Sequence, residues 1–321
     1  QGQAAAGATY WSTVAPDCSS LAGESAVAIT DSGGTTIGYS CYVSGTFVWL
    51  AAGGGWVTSL SVAAPASGGI GVEYSFYDTE GNSLSIDTTP YRSSAVTAGS
   101  GMTFALRANQ PSDINLQGAT GSGPKHSSTA TGSAYAVFYC PDAKTCANLA
   151  PQLFYVSLAP APYVLAAPIA WDTELWTQWS TQGFDDGDGN RVSLVIYNED
   201  TTAASYTVRV YDDTGALAGE GSTPAVSPMR LGSDGAFGEG GTYAALLSDV
   251  IGTALPSGVF KILIDGGAKY SAVEVLQFSR PSATALQVVY DSAPEAPLPR
   301  SSGRARRIGS TPKLVFGALA K

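Results

Sequence analysis

Two stretches of this chain read as the same piece of backbone. Tyr74-Ser75-Phe76-Tyr77-Asp78-Thr79-Glu80-Gly81-Asn82-Ser83-Leu84 and Val208-Arg209-Val210-Tyr211-Asp212-Asp213-Thr214-Gly215-Ala216-Leu217 each run strand, Tyr-Asp, turn, Gly, strand, at an offset of 134 residues. The same offset aligns Ser59-Leu60 with Ser193-Leu194 and Thr89-Pro90 with Thr223-Pro224. Farther along, with gaps, Thr131–Tyr139 resembles Pro256–Ile264 and Gln152–Val156 resembles Val273–Phe278. Such a repeat demands an architecture that one segment can build twice, and it predicts a tandem duplication. Asp78, Asp212 and Asp213 fall at its turns, where their side chains are expected to accept hydrogen bonds from the local backbone.

The repeated unit reads as β-structure. Short runs rich in Val, Ile, Tyr, Phe and Thr alternate with Gly, Asn, Asp and Pro clusters, the pattern of half-buried strands joined by tight turns. Ala26–Thr30 and Thr35–Tyr39 flank Asp31-Ser32-Gly33-Gly34 and predict a hairpin. Arg191–Tyr197 and Tyr206–Tyr211, flanking the polar run Asn198–Thr202, predict another. Helical periodicity is confined to a turn or two at Asp172–Trp179 and Ala244–Ile251. The fold class that follows is all-β: two tandem β-sandwich domains, Ig-like or jelly-roll-like, with extended N- and C-terminal segments. With 321 residues, both can hold full cores. Residues 1–160 form the first sandwich with a disulfide-pinned N-terminal segment, 161–183 a Trp-rich connector, 184–290 the second sandwich, and 291–321 a basic Pro/Ser-rich tail.

Gly53-Gly54-Gly55-Trp56-Val57-Thr58-Ser59-Leu60, followed by the Tyr-Asp-x-x-Gly hairpin, resembles tandem β-sandwich modules of predicted secreted proteins of soil bacteria such as the acidobacteria. In the second unit Asp188-Gly189-Asn190-Arg191-Val192-Ser193-Leu194 stands at the corresponding place without the Trp. The resemblance implies an exported sandwich of structural or adhesive use, and it implies no catalytic residue.

Charge separates the chain into two parts. Residues 291–321 carry Arg300, Arg304, Arg306, Arg307, Lys313 and Lys321 against Asp291 and Glu295, so a tail of +4 follows a body of −14 within the net −10. An acidic body excludes nucleic acid as its partner, since phosphate binding relies on clustered Lys and Arg. Charged residues are only 13% of the chain, about half the usual 25%, so neighbouring copies can pack with little repulsion. Cys18, Cys41, Cys140 and Cys146 allow three pairings, and their placement suggests Cys18–Cys41 and Cys140–Cys146. Disulfides, and a first residue that is Gln rather than Met, predict an extracellular or cell-surface protein whose signal peptide has been removed. Leu158–Trp171, the longest apolar stretch, is broken by Pro160, Pro162 and Pro168, and no transmembrane segment is expected.

No residue constellation specifies a reaction, and the chain is read as a non-enzyme. The single histidine, His126, sits in a Gly/Ser loop without a Gly-x-Ser-x-Gly elbow. No cofactor is implied beyond calcium, for which Asp185, Asp186, Asp188 and Asn190 on a Gly-rich turn supply oxygen ligands but no terminal bidentate Glu. Trp171, Trp176 and Trp179 form the densest aromatic cluster. They suit packing between domains or subunits, or, in the alternative reading, stacking of surface glycans by a secreted adhesin or carbohydrate-binding protein. Trp11, Trp49 and Trp56 carry the same ambiguity. The tail offers a strand: Leu314, Phe316, Ala318 and Ala320 alternate with Val315, Gly317 and Leu319 behind the basic cluster Arg304, Arg306 and Arg307. Such a strand can add to the sheet edge of a neighbour. The expected function is therefore the structural subunit of an extracellular filament, sheath or surface layer. Its partners are copies of itself, joined head to tail through Lys313–Ala320 and the N-terminal segment Gln1–Trp11.

Overall fold

The computed structural model describes residues 9–21, 25–53, 56–90, 97–119, 130–157, 163–171, 176–185, 191–229 and 240–278. Within them the first half of the chain forms β1 (Val27–Thr30), β2 (Thr36–Ala52), β3 (Trp56–Ala63), β4 (Ile70–Asp78), β5 (Ile86–Pro90), β6 (Thr97–Gly99), β7 (Gly101–Leu106), β8 (Pro111–Ala119), β9 (Ala130–Cys140), α1 (Ala143–Ala147), β10 (Gln152–Ser157), β11 (Tyr163–Pro168) and β12 (Ala170–Trp171). The second half forms β13 (Gln178–Asp185), β14 (Arg191–Asn198), β15 (Thr207–Tyr211), β16 (Leu217–Ser222), β17 (Thr242–Leu246), α2 (Leu247–Ile251), β18 (Gly258–Asp265) and β19 (Ser271–Phe278). These strands make four antiparallel sheets, an all-β structure of the sandwich class. No helix among the described residues is long and apolar enough to cross a membrane.

The first sheet runs β1-β2-β9-β4-β7 with β12 also paired to β2, and the second runs β11-β10-β3-β8-β5-β6. The third is β13-β18-β15-β16 and the fourth β17-β14-β19. Set side by side, β2-β9-β4-β7 over β10-β3-β8 has the same strand order as β13-β18-β15-β16 over β19-β14-β17. The landmark Ser59-Leu60 lies on β3 and its counterpart Ser193-Leu194 on β14, the second strand of each set. The third landmark parts company, because Thr89-Pro90 ends β5 in the second sheet whereas Thr223-Pro224 follows β16 in the third. After the Asp78 turn the chain pairs with β4 only briefly, Leu84 donating to the Phe76 carbonyl at 2.8 Å, then crosses to the other sheet. The strand position beside β4 passes to β7, with the Phe76 amide bonded to the Ser100 carbonyl at 2.8 Å. After the Asp212 turn no such crossing occurs, and β16 stays paired to β15.

The hairpin at Asp31–Gly34 forms as expected, β1 pairing β2 from Val27 opposite Ser40. The second expected hairpin does not. β14 lies in the fourth sheet and β15 in the third, so Asn198–Thr202 is a crossover between sheets rather than a tight turn. The Asn198 side chain holds that crossover: its Nδ2 donates to the carbonyls of Thr202, Val226 and Ser227, each at 3.1 Å, and its Oδ1 accepts from the Tyr206 hydroxyl at 3.2 Å. The stretch read as a connector, 161–183, also supplies sheet strands. β11 and β12 join the first half and β13 the second. α2 falls inside the expected Ala244–Ile251. α1 was not foreseen; Asp142 caps it by accepting from the Thr145 amide at 2.7 Å.

Both disulfides form as read, Cys18–Cys41 and Cys140–Cys146, each with Cα atoms 5.5 Å apart. Cys41 and Cys140 are register partners in β2 and β9, yet each bonds to its other neighbour. One buried cluster fills the first half and a second lies between the third and fourth sheets, with Trp179, Val208, Phe260 and Ile262 in it. A third, smaller cluster takes in Tyr10, Tyr42 and Tyr139. This placement corrects one end of the expected inter-subunit segment Gln1–Trp11. Tyr10 is buried in its own chain, Ser40 Oγ donates to its carbonyl at 2.6 Å, and Trp11 lies so close to Gly38 that any Cβ there would enter the indole. Residues 1–8 lie outside the described residues.

Candidate functional site

The candidate site lies where the two halves meet, and β14 explains why they meet tightly. Its sequence Arg-Val-Ser-Leu-Val-Ile-Tyr-Asn is nearly continuous in apolar side chains, which suits a strand covered on both faces. Leu194 and Ile196 belong to the core of the second half, whereas Val195 and Tyr197, with Ala272 and Leu276 of β19, belong to the core of the first. Polar contacts finish the seam. The Tyr155 hydroxyl donates to the Trp49 carbonyl at 2.8 Å and lies 3.4 Å from Glu274 Oε1, a carboxylate on a residue only 3% exposed. Burial first, and then the charge of Glu274, push the Tyr155 hydroxyl well above the ordinary phenol range.

Beside this contact the seam opens into a cleft of about 410 Å³. Thr79 and Glu80 enter it from the tip of the Tyr-Asp-x-x-Gly turn, Trp49 from β2 and Thr131 from β9. From the second half come Ala225, Val226 and Ser227, following β16, and Thr242, Tyr243 and Ala244 of β17. The two walls are tied by the Thr242 amide, which donates to the Thr79 carbonyl at 3.0 Å. Gly241 permits that approach, since a Cβ there would come within 2.9 Å of the Thr79 carbonyl oxygen and 2.7 Å of Ser227 Cβ. The Thr242 hydroxyl is buried and meets no hydrogen-bond partner among the described residues. An unpaired buried hydroxyl costs about 1–3 kcal/mol, and this one is covered by the surrounding protein rather than open to the cleft.

The residues singled out from sequence are not gathered at this cleft. Trp179 is buried in the second core, its indole N–H donating to Ser271 Oγ at 3.1 Å, so it offers no open face to a sugar ring. Trp176 is half-buried against the same core and bridges Ser271 through its backbone. Trp171 ends β12, paired with Gly45 of β2. Of the calcium residues, Asp185 ends β13, while Asp186, Asp188 and Asn190 lie outside the described residues, as do His126 and the tail with Arg304, Arg306, Arg307, Leu314, Val315, Phe316 and Leu319. Trp49 alone among the ambiguous tryptophans reaches the cleft. Sequence reading treated the Asp78 turn as a structural device and missed that its tip lines a wall. The signal available was polar: Thr79 and Glu80 stand where the equivalent turn has Asp213 and Thr214.

Chemically, the cleft is lined mainly by polar groups, threonine and serine residues and the Glu80 carboxylate among them, a set suited to hydrogen bonding. No protein-family model, curated protein or solved structure matches this chain.

Proposed function

We propose that the chain is an exported architectural subunit that assembles with copies of itself, a tail segment Lys313–Ala320 of one copy adding to an open sheet edge of the next. The observation that carries this reading is the edge strand β13. Natural edges are guarded by Lys, Pro, bulges or a covering element, because an unguarded row of amides and carbonyls templates another strand. From Gln178 to Gly183 β13 has none of these residues and no charge, and no described strand pairs with the outer side of that stretch. Near its end Phe184 is 43% exposed and stands in register with Val259 of β18, itself 51% exposed. An incoming Leu314-Val315-Phe316 strand would gain backbone bonds along the edge and cover this apolar pair. Two disulfides suit an oxidising compartment, and opposite charge on body and tail favours head-to-tail contact.

Negative-stain microscopy tests this directly. The full chain should form filaments or sheets; deletion of residues 300–321 should leave dispersed folded particles, and so should the paired exposed substitutions Gln182→Lys and Phe184→Lys. Polymers from either variant that match those of the parent would sink the reading.

A further inference from the structure

We propose that the outer edge of β19 is a docking edge whose occupant is a strand of this same chain, residues 285–290, folded back as a hairpin on the strand before it. The last described residue, Phe278, lies on β19 itself. Trp176 bridges this edge only at its start, exchanging both backbone bonds with Ser271 at 3.1 and 2.8 Å. In an unbroken antiparallel strand every second residue repeats that orientation, so the amides and carbonyls of Val273, Val275 and Gln277 point to the same side. No described strand pairs with them there. Val273 and Val275 are buried, 7% and 5% exposed, and backbone groups out of reach of water are nearly always bonded.

The first half shows what fills the corresponding edge. Leu60 and Leu194 are counterparts in the repeat, and their partners across the sheet are Leu153 of β10 and Val275 of β19. This sets β10 on β19 at an offset of 122 residues, so Ser157, the last of β10, corresponds to Ser279. From there β10 turns through residues 158–162 and returns as β11, with Ser157 opposite Tyr163 and Gln152 opposite Pro168. At the same offset and without a gap, the turn falls on Arg280-Pro281-Ser282-Ala283-Thr284 and the strand on Ala285-Leu286-Gln287-Val288-Val289-Tyr290.

The sequence suits the place. β19 is covered on both faces, Leu276 belonging to the core of the first half and Val275 to that of the second, and a strand beside it meets the same two layers. Such a strand reads as a continuous apolar run, and 285–290 is apolar at every position but Gln287, with Val288, Val289 and Tyr290 strong strand formers. Pro281 and Pro294 bound it. The register also avoids Trp176. Tyr290 falls opposite Glu274, short of the Ser271 bridge, and the chain leaves the edge at Ser292-Ala293-Pro294. Those weak strand formers stand where Ala170-Trp171 pair with β2, so the counterpart edge on β13 is left to an incoming strand.

Hydrogen exchange, followed residue by residue on the full chain, tests this. The amides of Gln287 and Val289, with those of Val275 and Gln277, should exchange at least about a hundredfold more slowly than in an unstructured peptide, at every protein concentration. Val289→Pro removes a donor aimed at Val275 and should return these amides to fast exchange, whereas Val288→Pro, whose amide points away from β19, should leave them protected. Deletion of residues 300–321 should leave them protected too. Fast exchange at Gln287 and Val289 in the parent would overturn the proposal, as would a Val289→Pro chain with Val275 and Gln277 still protected. Protection that grows with protein concentration, or that vanishes with residues 300–321, would overturn it as well, since a second copy or the tail would then fill the edge. Should thermal melts show that Val289→Pro does not fold, the exchange pattern of the parent and of the deletion decides. None of these readouts needs filaments, so this proposal and the assembly reading fail separately.

Discussion

One residue pattern, Asp-x-x-Gly, builds three turns among the described residues with the same bonds. Asp31, Asp78 and Asp212 each accept through Oδ1 from the amides two and four residues on, and Gly34, Gly81 and Gly215 each take positive φ, 80 to 83°. The glycine is required by backbone geometry and not by crowding, since nothing lies within 4 Å of a Cβ built at Gly215. Gly215→Ala should therefore cost about 1–2 kcal/mol, the penalty of a left-handed alanine, with no change of fold; urea unfolding checks this, and an unchanged midpoint would refute it. Glu73 supplies a second expectation. Burial pushes its carboxyl up, opposed by the hydrogen bond from Tyr139, which lies 3.3 Å from Oε2. A carboxyl whose folded pKa exceeds its unfolded value holds its proton more tightly in the fold, so its contribution is most favourable below about pH 4 and is lost as pH rises through the folded value. Glu73→Gln, which keeps an acceptor for Tyr139, should melt higher than the parent at neutral pH, and the gap should close as pH falls toward 4. A melting difference that does not vary with pH would show that desolvation of the carboxylate is not the cause.

At the scale of elements, strands with one wet face were legible because their sequence alternates. β15 and β18 each bury every second residue, and their runs were visible from composition and period alone; β13 alternates as well but lies mostly in the stretch read as a connector. β14 was legible as a strand but not as a neighbour. A continuous apolar run says that both faces are covered without saying by what, and sequence adjacency suggested a hairpin with β15. What separates the two is the Asn198 side chain, which bonds three carbonyls and so makes the polar run a crossover; an asparagine in a loop gives no sign of carbonyls found 28 and 29 residues away. The disulfides were legible from placement, whereas the candidate cleft was not. Its lining comes from β2, the Asp78 turn, β9, the segment after β16, and β17, and of these only the Asp78 turn carries a motif, one that reads as structural. Only the seam brings them together, and the seam depends on which face of β14 each half takes.

For the whole molecule, the decisive fact is that a strand pair of the second half completes the core of the first. Val195, Tyr197, Ala272 and Leu276 are all buried, and all belong to the cluster built around Phe47, Leu60 and Tyr155. Two sandwiches joined by a loose tether would unfold one at a time, each with its own transition. Here the fourth sheet serves two cores at once, with Leu194 and Ile196 committed to one and Val195 and Tyr197 to the other, so loss of either layer exposes apolar surface on the remaining one. Leu276→Ala distinguishes these cases. The side chain is 4% exposed, and removing it leaves a cavity worth about 2–5 kcal/mol. With a shared layer, calorimetry should give one transition moved downward as a unit, and hydrogen exchange should quicken in β3 and β10 of the first half together with β14 and β19. Two transitions, of which only the later half's moves, would mean that the halves merely touch. That outcome would also loosen the cleft's walls, because the Thr242 to Thr79 bond that spans them is held in place by the same layer.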